Sequence, residues 1–230
     1  MTKKLVIAID GPAASGKSTL AQALADDLDY LYFDTGVLYR AVTYAALEGG
    51  VDTRDGQAVT QLAEEAVIDV EPTDGGNGTD FRVLLNGKDI TGSLRTPEVD
   101  AHVSVVAAYR GVRQALNEQQ RRIGMRGGVV MVGRDIGTVV LPEADLKIFL
   151  DASVEERARR RFEELRDQGS QISLEAIAES IQQRDKIDAE RDIAPLKPAN
   201  DSRLIESDGL DIDGVLAEAK ALVAKKLQDA

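Results

Sequence analysis

Gly11-Pro12-Ala13-Ala14-Ser15-Gly16-Lys17-Ser18 matches the pattern G-x-x-x-x-G-K-[ST] without a break. Its flanks are those the pattern needs. Leu5-Val6-Ile7-Ala8-Ile9 before it is a short apolar run suited to a buried parallel strand. Leu20, Ala21, Leu24, Ala25 and Leu28 after it recur on one face of a helix. Between strand and helix, glycine lets the backbone wrap closely around an anion, and successive N–H groups at the helix N-terminus point at it. Lys17 is placed to reach the β- and γ-phosphates of a nucleoside triphosphate, and the Ser18 hydroxyl to sit on Mg²⁺. The stretch predicts a triphosphate-binding chain; what receives the phosphoryl group is decided elsewhere.

The 230 residues give room for one sizeable core plus an insertion. A formal net charge of −12 argues against general binding to nucleic acid or anionic membrane, and makes any local arginine cluster informative. There are no cysteines, so disulfides and thiolate metal sites are excluded. His102 is the single histidine, which makes a zinc site unexpected. No apolar run reaches transmembrane length, and Met1-Thr2-Lys3-Lys4 leads into a strand rather than a secretion signal. The expectation is a cytoplasmic monomer whose partners are small molecules, with no nucleic acid and no membrane.

Leu31-Tyr32-Phe33 reads as a second strand, ending at Asp34-Thr35-Gly36, and a helix follows from Val37 to about Leu47, stopped by Gly49-Gly50. Another short helix covers about 57–66. Val67-Ile68-Asp69-Val70 and Phe81-Arg82-Val83-Leu84-Leu85 read as strands around Asp74-Gly75-Gly76-Asn77-Gly78, with Asn86-Gly87 as a hairpin turn before Lys88-Asp89-Ile90. Thr96-Pro97 caps and opens a helical stretch that breaks near Tyr109-Arg110-Gly111 and runs to about Ile123. The strand Val129-Val130-Met131-Val132 ends in Gly133-Arg134-Asp135, and the strand Leu146–Leu150 ends at Asp151. Ser153 and Glu156 have capping-box spacing for a helix to about Gln168; a helix over about 174–189, a strand at Arg203–Glu206 and a helix from about Ile212 complete the chain.

Strands alternating with helices predict an α/β, three-layer fold with a mostly parallel central sheet, a small antiparallel β insert and a helical lid. The expected division is core at 1–62, 101–152 and 171–230, insert at 63–100 and lid at 153–170. Ligands of such sheets bind beyond the carboxyl ends of the strands, so the loops at Gly11, Asp34 and Gly133 share one rim.

Arginine is concentrated near that rim. Arg157, Arg160 and Arg161 stand at i, i+3 and i+4, on one helical face, with Arg159 pointing elsewhere. Glu155, Glu156, Glu163 and Glu164 on the same helix fit a solvated, ion-paired face. Position tips the reading toward neutralising a transferred phosphoryl group. Arg184, Asp188 and Arg191 fall within roughly 60° of one another on a helix, a spacing that suits a salt-bridged surface and a ligand clamp equally. Tyr39-Arg40, in the first turn of the helix after Asp34-Thr35-Gly36, suits a second phosphate.

Together these residues resemble the bacterial cytidylate kinases, nucleoside monophosphate kinases of the P-loop class. The carriers are G-P-A-A-S-G-K-S-T at 11–19, D-T-G-V-L-Y-R at 34–40, R-T-P-E-V at 95–99, G-R-D-I-G-T-V-V at 133–140, L-K-I-F-L-D-A-S at 146–153 and R-D-K-I-D-A-E-R-D-I-A-P-L at 184–196. The resemblance spans essentially the whole chain. One departure is Val37-Leu38, where family members often carry alanine first. The family's enlarged monophosphate-binding insert matches the antiparallel unit. By this resemblance Gly11, Pro12, Ala13, Ala14, Ser15, Gly16, Lys17, Ser18 and Thr19 bind ATP, with Ser18 on Mg²⁺. Thr35, Tyr39, Arg40 and Arg134 contact the acceptor phosphate. Ser104, Arg113, Asp135 and Arg191 surround the cytosine, and Arg184 and Asp188 reach the ribose. Lys17, Arg134, Arg157 and Arg161 act on the transferred group, the last two from the mobile lid.

The implied reaction is phosphoryl transfer from ATP-Mg²⁺ to CMP or dCMP. An ionised phosphate is already a nucleophile, so no strong general base is needed, and none is evident. Alternatives remain at this stage: a kinase for UMP, AMP or a small hydroxyl metabolite, and, more remotely, a guanine-nucleotide switch. The switch lacks a well-formed N-K-x-D motif, since Asn86-Gly87-Lys88-Asp89 has the letters out of order and lies in a hairpin. A nucleic-acid-dependent ATPase is opposed by the negative charge and by an aromatic content of 4%.

Overall fold

The computed structural model describes residues 4–72 and 81–228. In chain order the elements are β1 (Val6–Asp10), α1 (Lys17–Leu28), β2 (Leu31–Asp34), α2 (Gly36–Glu48), α3 (Gly56–Glu65), β3 (Ile68–Pro72), β4 (Phe81–Leu85), β5 (Lys88–Asp89), α4 (Pro97–Ala108), α5 (Arg110–Gly124), β6 (Val129–Gly133), β7 (Leu146–Asp151), α6 (Val154–Asp167), α7 (Leu174–Glu190), β8 (Arg203–Glu206) and α8 (Ile212–Gln228). A short 3₁₀ turn at Thr91–Ser93 and a π-helical turn at Ile136–Val140 lie between them.

Five strands pair in the order β2-β6-β1-β7-β8, every pair parallel. Strand β6 is buried along its whole length, which is why Val129–Val132 is apolar without alternation. One face of the sheet is covered by α1 and α8 through Leu20, Leu24, Val215, Ala219 and Val223. The opposite face is covered by α2, α4 and α5 through Leu38, Val42, Val106, Val112 and Leu116. Two helical layers around a sheet are the three-layer fold expected. Each fully buried leucine or isoleucine here contributes about 1.5–3 kcal/mol.

Strands β3, β4 and β5 form a separate antiparallel sheet, with Ile68 opposite Leu85 and Leu84 opposite Asp89. The Asn86-Gly87 turn takes φ of 50° and 80°, the left-handed pair that closes a two-residue hairpin. Val67 stands just before β3, its N–H donating to Asn86 Oδ1 at 3.0 Å. The Asp74–Gly78 stretch expected between strands, and Met1–Lys3, lie outside the described residues.

Thr96 caps α4 by accepting from Val99 N at 3.3 Å. Tyr109, at φ −72° and ψ 129°, breaks the stretch into α4 and α5. The expected capping box at α6 is half-formed. Ser153 Oγ accepts from Glu156 N at 3.2 Å, but Ser153 N donates to Asp208 Oδ1 at 2.9 Å. Glu156 is thereby left to pair with Arg159 and Arg160, each at 2.8 Å. Among the described residues no helix is long and apolar enough to cross a membrane.

Candidate active site

The phosphate loop is held from three sides. Gly11 passes so close to β7 that a Cβ there would lie 2.1 Å from the Leu150 carbonyl oxygen. Gly16 takes φ 87° and caps α1 without any side-chain bond, and no acidic residue occupies the helix's first turn. The first N–H groups of α1 therefore face the cleft free of a competing side chain. Ala14 adopts a left-handed φ of 60°, strain of the kind stored at ligand-gripping loops. Lys17 is buried, with its Nζ donating to the Pro12 carbonyl at 2.8 Å. Burial pushes the Lys17 ammonium well below its ordinary range, and the neighbouring Arg134 and Arg184 push the same way. Ser15 Oγ is buried with no hydrogen-bond partner. Ser18 Oγ donates to Asp34 Oδ2 at 3.2 Å, while Asp34 Oδ1 accepts from Gly36 N at 2.9 Å. Thr19 faces solvent.

Behind this loop, Asp10 ends β1 and accepts from Ile136 N and Gly137 N, both at 2.8 Å. Those two bonds shape the π-helical turn and, with it, the loop carrying Arg134 and Asp135. Burial raises the Asp10 carboxyl from 3.8 to about 6, against the opposing pull of the two backbone donors.

Arg134 stands at the centre of the second cluster, its Nε donating to Asp188 Oδ2 at 2.9 Å. Asp188 also faces Arg191 Nη1 at 3.9 Å, and Arg191 Nη2 lies 3.5 Å from Asp135 Oδ1. Asp135 is bonded to Arg113 as well. The Arg113 guanidinium lies 5.3 Å from the centroid of the Tyr39 ring, a cation–π approach. Gln120 Nε2 donates to the Tyr39 hydroxyl at 3.3 Å. The Thr35 hydroxyl is buried and donates to the Val132 carbonyl at 2.8 Å. Ser104 is buried on α4. Arg184 and Arg191 are both depressed, by burial first and then by neighbouring arginines, Arg134 and Arg40 for the former and Arg113 for the latter. Arg184 Nε and Arg191 Nη2 are buried without hydrogen-bond partners. Arg134 thus stands close enough to weaken the hold of both Lys17 and Arg184 on their protons, and Arg40 acts on Arg184 in the same way, so cations gather at this rim.

On α6 the three arginines fan apart. Arg157 is buried; its guanidinium donates to the Ala152 carbonyl at 2.9 Å, to the Ala13 carbonyl of the phosphate loop at 3.0 Å and to Asp185 at 2.6 Å. Arg160 turns to Ser207, at 3.0 Å from its hydroxyl. Arg161 turns the other way, to Glu164 and Asp100.

A family model for cytidylate kinase matches residues 7–225. The chain belongs to the cytidylate kinase family. Among curated members, the cytidylate kinase of Bacillus licheniformis is 50% identical over 99% of this chain and 100% of its own. That of Bacillus subtilis is 46% identical over 98% of this chain and 99% of its own. A gluconokinase from Sinorhizobium meliloti shares the fold alone, with a TM-score of 0.50 and 13% identity over 100% of this chain and 97% of that one.

Within this cytidylate kinase family chain, four carboxylates that hold the site carry no role in the sequence reading. Asp10 stands out only as an acid closing an apolar strand, and Asp34 only as the first letter of D-T-G. Asp185, which pairs with Arg157, hides among the charges of α7. Asp100 sits in the first turn of α4, where an acid is ordinary. His102, given no role, bonds through Nδ1 to Thr53 Oγ1 at 2.7 Å and ties α4 to the turn before α3.

Proposed function

We propose that this chain transfers the γ-phosphoryl group of ATP to CMP or dCMP, giving ADP and CDP or dCDP. The observation that carries the reading is the gathering of Lys17, Arg40, Arg134 and Arg184 about the carboxyl-end rim of the sheet, with Arg184 Nε buried and unbonded. Such a cluster is destabilised by its own charge until polyanions enter.

ATP lies on Gly11–Thr19, its phosphates on the free N–H groups of α1 and on Lys17. The Ser18 hydroxyl and the Asp34 carboxylate, 3.2 Å apart, are hard oxygen donors that fit magnesium. When bound, magnesium neutralises charge across the β- and γ-phosphates. The acceptor phosphate goes to Thr35, Tyr39, Arg40 and Arg134, the ribose to Arg184 and Asp188, and the base to Ser104, Arg113, Asp135 and Arg191. A CMP phosphate oxygen attacks the γ-phosphorus in line, and the bond to the β-phosphate oxygen breaks. Alignment and charge neutralisation by Lys17, Arg134 and Arg161 lower the barrier. Arg157, bonded to the Ala13 carbonyl, acts by fixing the loop. Residues 153–170 form the lid and 63–100 the monophosphate insert, closing together to exclude water. The protein works as a cytoplasmic monomer.

An ADP-release assay with ATP-Mg²⁺ against CMP, dCMP, UMP, AMP and GMP tests this. CMP and dCMP turn over with the highest kcat/KM; a panel led by UMP or AMP refutes the acceptor assignment.

A further inference from the structure

Asp100 is the meeting point of three arginines from three different helices. Its Oδ1 lies 2.7 Å from Arg40 Nη2 on α2 and 3.7 Å from Arg184 Nη1 on α7, and its Oδ2 lies 3.6 Å from Arg161 Nη2 on α6. The Asp100 side chain is 23% exposed, so it borders the cleft rather than the core. The one carboxylate is within hydrogen-bond distance of Arg40 alone: Arg184 Nε stays buried and unbonded, and burial, with the Arg134 charge second, still depresses Arg184 against the pull of Asp100. Bound nucleotides offer each cation an acceptor of its own: the acceptor phosphate, a dianion with three acceptor oxygens, for Arg40, the ribose for Arg184 and the transferred phosphoryl group for Arg161.

We propose that Asp100 is a positioning residue, a built-in stand-in for the acceptor phosphate. With the cleft free of nucleotide, it holds Arg40, Arg161 and Arg184 pointed inward and offsets their mutual repulsion. The entering phosphate takes over Arg40, and the displaced carboxylate turns toward solvent, repelled by the dianion. The same handover frees Arg161 of α6 from α4, so acceptor binding releases the lid helix to move onto the triphosphate. Asp100 therefore competes with the acceptor while keeping its receptors in register. The inference rests on the reading of Arg40 as a contact of the acceptor phosphate.

Calorimetric titration of Asp100→Asn with CMP tests the proposal, with cytidine as the probe lacking a phosphate. Removing a partly exposed competing charge tightens CMP binding about fivefold. Cytidine binding stays unchanged, and Asp100→Glu returns CMP affinity to the wild-type value. In a thermal melt, inorganic phosphate raises the melting temperature of Asp100→Asn more than that of wild type. CMP binding that is unchanged or weaker in Asp100→Asn, or an equal shift with cytidine, overturns the proposal. Should Asp100→Asn not fold, the wild-type CMP complex decides: Arg40 bonded to phosphate with Asp100 turned away supports it, and a retained Arg40–Asp100 bond overturns it. If wild type takes AMP or UMP in place of CMP, the acceptor assignment fails, and the same comparison with that nucleotide still decides the role of Asp100.

Discussion

Arg134 and Asp188 are joined by a 2.9 Å hydrogen bond from the loop after β6 to the last turn of α7, and Asp188 faces Arg191 at the same time. A buried carboxylate thus sets the aim of two arginines, to which the proposed function gives different parts of the acceptor.

Asp188→Ala deprives Arg134 of its carboxylate partner and leaves Arg191 with Asp135 alone. A charge-assisted bond contributes about 1.5–3 kcal/mol, so kcat/KM for CMP falls roughly 10- to 100-fold. KM for ATP stays within about twofold, because no phosphate-loop bond is touched. Steady-state kinetics with each substrate varied in turn separates the two.

Arg157→Lys tests the support of the loop. Lysine cannot span the Ala13 carbonyl, the Ala152 carbonyl and Asp185 as the planar guanidinium does. KM for ATP rises about tenfold, the loss of one charge-assisted bond, with KM for CMP little changed. A fall in kcat with KM for ATP unchanged places Arg157 on the transferred phosphoryl group instead.

Asp34→Asn keeps an acceptor for Gly36 N and removes the charge beside Ser18. The magnesium concentration giving half-maximal rate rises about tenfold, roughly the worth of one charged ligand contact. Direct Mn²⁺ binding to the enzyme–nucleotide complex, read by electron paramagnetic resonance, weakens in parallel. Unaltered Mn²⁺ affinity removes Asp34 from the metal's surroundings.

The buried Asp10 gives a pH signature in stability. In the folded chain its carboxyl holds a proton up to about pH 6, whereas unfolded it releases one near 3.8. Between those values the folded state binds more protons, so this group's contribution to stability falls as pH rises from about 4 to 6, by at most about 3 kcal/mol. Asp10→Asn lacks this fall. Thermal melts of the two proteins across that window show wild type losing stability relative to the variant, and parallel curves contradict the assignment.

Legibility in sequence followed the range of the interaction. Strand β1, the glycine loop and α1 are written in consecutive residues, and so is the Thr96-Pro97 start of α4. The π-helical turn at Ile136–Val140 was not legible, because Asp10, 126 residues earlier, shapes it. Arg157, Arg160 and Arg161 share one helix, as their spacing implies, yet spacing alone does not show that they serve three different neighbours. The pairing of Asp188 with Arg134 and of Arg191 with Asp135 likewise needed the sheet order that sets α7 beside the end of β6. Asp100 had no signal at all, since its partners come from three distant segments.

The account depends on one cationic pocket holding both nucleotides with their phosphates facing each other. Calorimetric titration with a compound joining adenosine and cytidine through five phosphates measures this directly. If the two sites are contiguous, it binds at least about 100-fold more tightly than ATP or CMP alone, because the second contact becomes intramolecular. Binding no tighter than that of ATP contradicts the shared pocket.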